Sequence, residues 1–116
     1  MGRTKLTVYE KPTCTTCRKL VALLEEEGVP FERINYIVDP LPRATLERLL
    51  KKGNLSPHDV VRAKDARAAG IDPESLSEQE LLALLIERPE LLQRPLVERG
   101  ARVVLARPPE KVRELF

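Results

Sequence analysis

The sequence predicts a mixed α/β domain made of a strand–helix–strand half, a helical middle and a strand–strand–helix half. Three observations carry that prediction. Apolar and polar residues alternate with period two over residues 5–9 and again over 31–36. Between those stretches apolar residues recur at helical spacing, and residues 96–106 read as a hairpin with Gly100 in its turn. At 116 residues, the chain has room for one hydrophobic core and is expected to be a single domain, 1–116.

Each element follows in order. Lys5-Leu6-Thr7-Val8-Tyr9 is β-branched and aromatic, as a strand prefers. Pro12-Thr13-Cys14 forms a junction, and Cys17, Leu20, Val21 and Leu24 then mark one face of a helix that Gly28 stops. Phe31-Glu32-Arg33-Ile34-Asn35-Tyr36 is the second strand, and the short joints imply a right-handed crossover with the two strands parallel. In the middle, Leu46, Leu49 and Leu50 share a helix face between Pro42 and Gly53, and a shorter helical piece runs near His58 to Arg62. Ser77-Glu78-Gln79-Glu80 is a capping box that opens a third helix, which Pro89 breaks. Leu96-Val97, a turn around Glu98-Arg99-Gly100, and Arg102 to Ala106 make the hairpin. Pro108-Pro109 opens a last helix with Val112, Leu115 and Phe116 as its apolar stripe. A βαβ half joined to a ββα half is the thioredoxin-like arrangement, here with a helical insertion between the halves at about residues 40–92.

Composition removes several classes of function. Twenty Lys and Arg against eighteen Asp and Glu leave a net charge of +2, too small to argue for direct nucleic-acid or membrane-surface binding. With 33% charged and 42% hydrophobic residues, the chain is globular in composition. No apolar run is long enough to span a bilayer, and Met1-Gly2-Arg3-Thr4-Lys5 leads straight into the first strand, so a soluble, cytoplasmic domain is expected. Ten prolines and few Asn and Gln suit either a hot environment or a GC-rich coding bias.

The chemistry concentrates at Cys14-Thr15-Thr16-Cys17, on a strand-to-helix junction. A thiol at a helix N-terminus faces free backbone N–H groups and the positive end of the helix dipole, both of which favour thiolate. Cys14 is the exposed member, while Cys17 shares the stripe of Leu20, Val21 and Leu24 and is expected to be buried. That asymmetry suits an attacking and a resolving thiol. Structural zinc needs four ligands, and two cysteines with the lone His58 supply three, so no metal site is expected. A structural disulfide and a pair of inert thiols are the bland alternatives.

Most arginines read as surface charge. Arg62, at the end of its short helical piece, Arg94 before Pro95, and Arg107 before Pro108 differ in context. In a thioredoxin-like fold the loop before the third strand lies beside the cysteine helix, its X-Pro bond is a candidate for cis, and Arg94 reaches Cys14. Glu25-Glu26-Glu27 reads as a solvated helix face, His58 as a surface or capping residue, and Tyr9 and Tyr36 as core.

Residues 9–19 (Tyr-Glu-Lys-Pro-Thr-Cys-Thr-Thr-Cys-Arg-Lys), Arg94-Pro95-Leu96-Val97 and Arg107-Pro108-Pro109-Glu110 together resemble the glutaredoxin-like arsenate reductase (ArsC)/Spx family along nearly the whole chain. The resemblance implies that Cys14 attacks arsenate, or another small oxyanion or thiol substrate, while Arg62, Arg94 and Arg107 hold the oxyanion. It implies no bound cofactor and an external thiol reductant, either glutathione with glutaredoxin or a thioredoxin. The chain departs from the arsenate reductases at two places: Glu10 stands where they carry His, and Cys17 where they carry Ser. A carboxylate close to Cys14 is expected to raise its thiol unless it points away. Cys17 allows a Cys14–Cys17 disulfide that a thioredoxin resets. That pair also fits the alternative, an Spx-like redox-sensing transcriptional regulator that binds RNA polymerase. Arg107, which the Spx pattern lacks, and the stop at Phe116 without a further tail favour the oxyanion pocket.

Overall fold

A computed structural model describes residues 5–116. The expected run of Met1-Gly2-Arg3-Thr4 into the first strand lies outside the described residues. The chain divides into two compact units, one of Met1–Asp39 with Arg94–Phe116, the other of Pro40–Gln93.

The first unit carries β1 (Leu6–Glu10), α1 (Thr15–Glu26), β2 (Phe31–Asn35), β3 (Leu96–Arg99), β4 (Arg102–Leu105) and a 3₁₀ helix (Pro109–Leu115). Its four strands form one sheet in the order β2-β1-β3-β4, with β1 and β2 parallel and the other two pairings antiparallel. This is the thioredoxin-like arrangement that the sequence predicts. Alternation along β1 sends Leu6, Val8 and Glu10 to one face of the sheet and Thr7 and Tyr9 to the other. Leu6 and Val8 pack with Leu20 and Leu24 of α1 and with Val97, Ala106, Val112 and Leu115 in one core cluster. Each leucine or valine among them contributes on the order of 1.5–3 kcal/mol by leaving water. α1 closes on a Schellman motif: Gly28 takes φ +68°, its N–H donates to the Glu25 carbonyl at 3.2 Å, and Val29 N–H reaches the Leu24 carbonyl at 3.0 Å.

Two expectations for this unit change. β3 runs on to Arg99, where it pairs with Arg102, so the hairpin turn is Gly100-Ala101 and not a turn centred on residues 98–100. Glu98 stays in the sheet opposite Val103, and its carboxylate accepts from the Tyr9 hydroxyl at 3.0 Å. The final helix is 3₁₀ throughout, and its three-residue period aligns Val112 with Leu115 in the core. Phe116 falls off that line and is 46% exposed.

The second unit holds α2 (Arg43–Gly53), α3 (Pro57–Val60), α4 (Ala63–Ala68), a 3₁₀ turn (Pro73–Ser75), α5 (Glu78–Glu87) and another 3₁₀ turn (Pro89–Leu91). Leu46, Leu49 and Leu50 are buried, and the Ser77/Glu80 capping box forms in both directions. The helical piece near residues 58–62 is corrected. α3 starts earlier, with Pro57 in its first turn and a Ser56/Asp59 capping box, and it ends at Val60. Val61 is extended and bridges to Leu92, and Arg62 becomes the N-cap of α4. Among the described residues, no helix is long and apolar enough to cross a membrane.

Candidate active site at the first strand–helix junction

Residues 11–14 turn the chain from β1 into α1. Cys14 N–H donates to the Lys11 carbonyl at 2.9 Å, and Arg18 N–H closes the first helical turn on the Cys14 carbonyl at 3.0 Å. Cys14 is thus the N-cap of α1, in extended conformation, at the positive end of the helix. Its side chain is partly exposed, whereas Cys17, the third residue of α1, is fully buried, and both are free thiols.

The two sulfurs are driven in opposite directions. Burial alone raises the Cys14 thiol, but the N–H groups of Cys17 and Thr16, the Cys17 thiol and the Arg94 guanidinium together bring it down to about 7. Burial pushes the Cys17 thiol up to about 12, against the backbone of Lys11, and the neighbouring Cys14 and the Glu10 charge add to the rise. Near neutral pH, then, Cys14 is substantially ionised, and Cys17 keeps its proton and donates it as a hydrogen bond to the Cys14 sulfur. An ionised thiol in contact with solvent, backed by a protonated one, is the pairing that ordered thiol chemistry needs.

Arg94 is the arginine that touches Cys14. It is 7% exposed, and its guanidinium bonds both Cys14 and the buried Tyr36 phenol. Burial works against its charge, and the contacts with Tyr36 and Cys14 outweigh that, holding the guanidinium above its ordinary value. Arg107 is tied to Arg94 and not to the sulfur: its Nη1 donates to the Arg94 backbone carbonyl at 2.8 Å. Both arginines precede cis prolines, Pro95 and Pro108. Arg62 belongs to the second unit. Its Nε donates to Asp65 at 2.7 Å and its Nη1 to the Gln93 side chain at 3.0 Å.

Glu10, at the end of β1, is 2% exposed and ion-paired through Oε2 with Arg33 of β2. Its charge is felt at Cys17, and the Cys14 thiol is lowered all the same. Of the two cases open for Glu10, the structure favours the second: strand alternation carries the carboxylate to the α1 face of the sheet and Arg33 holds it there. Tyr36 is the functional neighbour that sequence reasoning missed. It is core, as expected, and it is also the partner of Arg94. His58 accepts its expected structural role: its Nε2 lies 3.2 Å from the carbonyls of both Pro73 and Leu76. Among the described residues, no three His, Cys, Asp or Glu side chains converge as metal ligands.

Known proteins are similar to this chain along nearly its whole length. The ArsC family model matches residues 9–115. The uncharacterised protein YfgD of Escherichia coli is 34% identical over 111 residues, covering 93% of each chain. The global transcriptional regulator Spx of Streptococcus pneumoniae is 38% identical over 94 residues, which cover 79% of this chain and 71% of the regulator. Among solved structures, an arsenate reductase from Vibrio cholerae superimposes with a TM-score of 0.86 at 28% identity, covering 99% of this chain and all of that one. With the family match running from the first strand to the last helix, and a relative above 30% identity spanning nearly the whole chain, the protein belongs to the ArsC family.

Proposed function

We propose that the protein is a thiol-dependent oxidoreductase of the arsenate reductase type, with Cys14 as nucleophile and Cys17 as resolving thiol. The observation that carries this reading is the opposed pair of thiols, one lowered to about 7 in contact with an arginine and the other pushed to about 12 in the core. Arsenate is a compact oxyanion, and a guanidinium can pair two of its oxygens while stabilising charge as one departs. Arg94 and Arg107 are the proposed ligands from the cysteine unit; Arg62 is a proposed ligand by the family resemblance alone.

In the proposed cycle the Cys14 thiolate forms a bond to As(V), and one arsenate oxygen leaves as water. The Cys17 sulfur then attacks the Cys14 sulfur. The S–As bond breaks with its electron pair going to arsenic, arsenite departs, and the two thiols are left oxidised to a disulfide. An external dithiol of the thioredoxin class reduces that disulfide; glutathione with glutaredoxin is the other candidate reductant. Both belong to the cytoplasm, the proposed compartment.

The test is arsenate-dependent NADPH oxidation coupled separately to a thioredoxin system and to a glutathione–glutaredoxin system, with Cys14→Ser as the blank. Turnover that disappears in the blank establishes the reductase; absence of turnover in both systems sinks arsenate as substrate. The kinship with Spx supports a second reading, a disulfide switch on a regulator that contacts RNA polymerase. A polymerase pull-down with the reduced and the oxidised protein tests it.

A further inference from the structure

A buried carboxylate behind the resolving thiol has no part in the scheme so far. Leu6, Val8 and Glu10 share the face of β1 that α1 covers, and the helix stripe of Cys17, Leu20 and Leu24 lies against that face. Glu10 is the last residue of β1 and Cys17 the third of α1, so both stand at the end of the unit where strand passes into helix. Val8 is in register with Arg33 on the parallel neighbour, which brings the guanidinium to the same face. Arg33 engages Oε2 of Glu10; Oε1 is buried and has no hydrogen-bond partner among the described residues. A polar oxygen left unpaired in a core gives up its hydration with nothing in return, so its retention calls for a use.

We propose that Glu10 is the acid–base partner of Cys17, taking the Cys17 proton on Oε1 as that sulfur attacks the Cys14 adduct. The proposal rests on the resolving role given to Cys17 above. In the step, the Cys17 S–H proton passes to the Glu10 carboxylate, the Cys17–Cys14 S–S bond forms, and the bond from Cys14 to its adduct breaks with the electron pair leaving on the adduct. Glu10 returns the proton to Cys17 when the disulfide is reduced.

Charge balance favours this route. A Cys17 thiolate beside an ionised Glu10 places two buried anions together, whereas transfer between them keeps the pair at one negative charge, facing Arg33, before and after. The charge on Cys14 opposes ionisation of Cys17 only while Cys14 is a free thiolate; once it is in an adduct, the Glu10 charge still raises Cys17, and protonating Glu10 removes that effect in the same event.

Mixing the reduced protein with dithionitrobenzoate in a stopped-flow spectrometer tests the step without arsenate. Cys14 attack releases one aryl thiolate at a rate proportional to reagent. Cys17 attack on the resulting mixed disulfide releases a second at a rate independent of it. Glu10→Gln is expected to slow the second phase by roughly 100-fold, within the range of general-base catalysis, and to leave the rate of the first phase in place. Glu10→Asp is expected to recover part of that loss. An unchanged or faster second phase in Glu10→Gln overturns the proposal while leaving Cys17 as resolving thiol. A wild type that shows no second phase overturns the proposal together with that role. If Glu10→Gln fails to fold by circular dichroism, Glu10→Asp decides: a slower second phase with the first phase in place supports the transfer, and an unchanged second phase refutes it.

Discussion

Arg94 bonds the sulfur whose reactivity can be followed directly, so its contribution is measurable in isolation. Alkylation of Cys14 by iodoacetamide requires thiolate, and its rate in the wild type is expected to rise with pH through a midpoint near 7. Cys17, raised to about 12 and buried, does not obscure that curve. The Arg94 hydrogen bond lowers the Cys14 thiol, so Arg94→Ala is expected to move the midpoint up toward the ordinary thiol value of 9. The sign is fixed by the acid form: a higher midpoint means less thiolate at pH 7, so the variant reacts more slowly there and converges on the wild type in alkali. Tyr36→Phe keeps the guanidinium but removes its buried phenol partner. That change is expected to move the midpoint the same way by a smaller amount, and to lower the urea stability by about 1–3 kcal/mol, as for a buried charged group losing a hydrogen bond.

At the scale of the element, packing and capping have separate and comparable tests. Leu20 and Leu24 are fully buried where α1 meets β1, so Leu20→Ala is expected to cost about 2–5 kcal/mol in urea denaturation, the range for a leucine truncated in a close-packed core. Ser77→Ala deletes an exposed cap whose hydroxyl accepts from Glu80 N–H at 3.2 Å, and is expected to cost about 1 kcal/mol. The same two elements show what was legible beforehand. α1, α2 and α5 each run for ten residues or more, long enough for a 3.6-residue stripe to repeat, and all three were readable. α3 has four residues and α4 six, too few for a period to declare itself, and their boundary is set by a long-range bridge from Val61 to Leu92 that no local pattern carries. For that reason the sequence pattern puts Arg62 at the end of a helix, though it starts one. The Cys14–Cys17 asymmetry followed from spacing alone. The burial of Glu10 was also within reach, since Leu6, Val8 and Glu10 alternate onto the core face, but an acidic residue there reads as a strand end until Arg33 is seen to hold it.

The whole molecule has to be assigned to turnover or to signalling, and a net charge of +2 does not separate the two, because either partner would be met by a local surface. The order in which the thiols act does separate them. In the proposed enzyme Cys14 acts first and alone, and Cys17 enters only to release it. Cys17→Ser leaves a hydroxyl where the thiol donated to Cys14, so the nucleophile stays activated while the second pair of electrons is lost. That variant is expected to lose thioredoxin-linked turnover to background and to retain glutathione-linked turnover, because an external thiol then reduces the Cys14 adduct. Cys14→Ser loses both. In a disulfide switch the two sulfurs enter one bond symmetrically, so Cys14→Ser and Cys17→Ser abolish an oxidation-dependent change in partner binding equally. Measuring both variants in both coupled assays, and in a polymerase pull-down with and without oxidant, therefore reads the assignment from a comparison between mutants. Inequality of the two cysteines in turnover identifies the reductase, and equality in redox-dependent capture, without turnover, identifies the regulator.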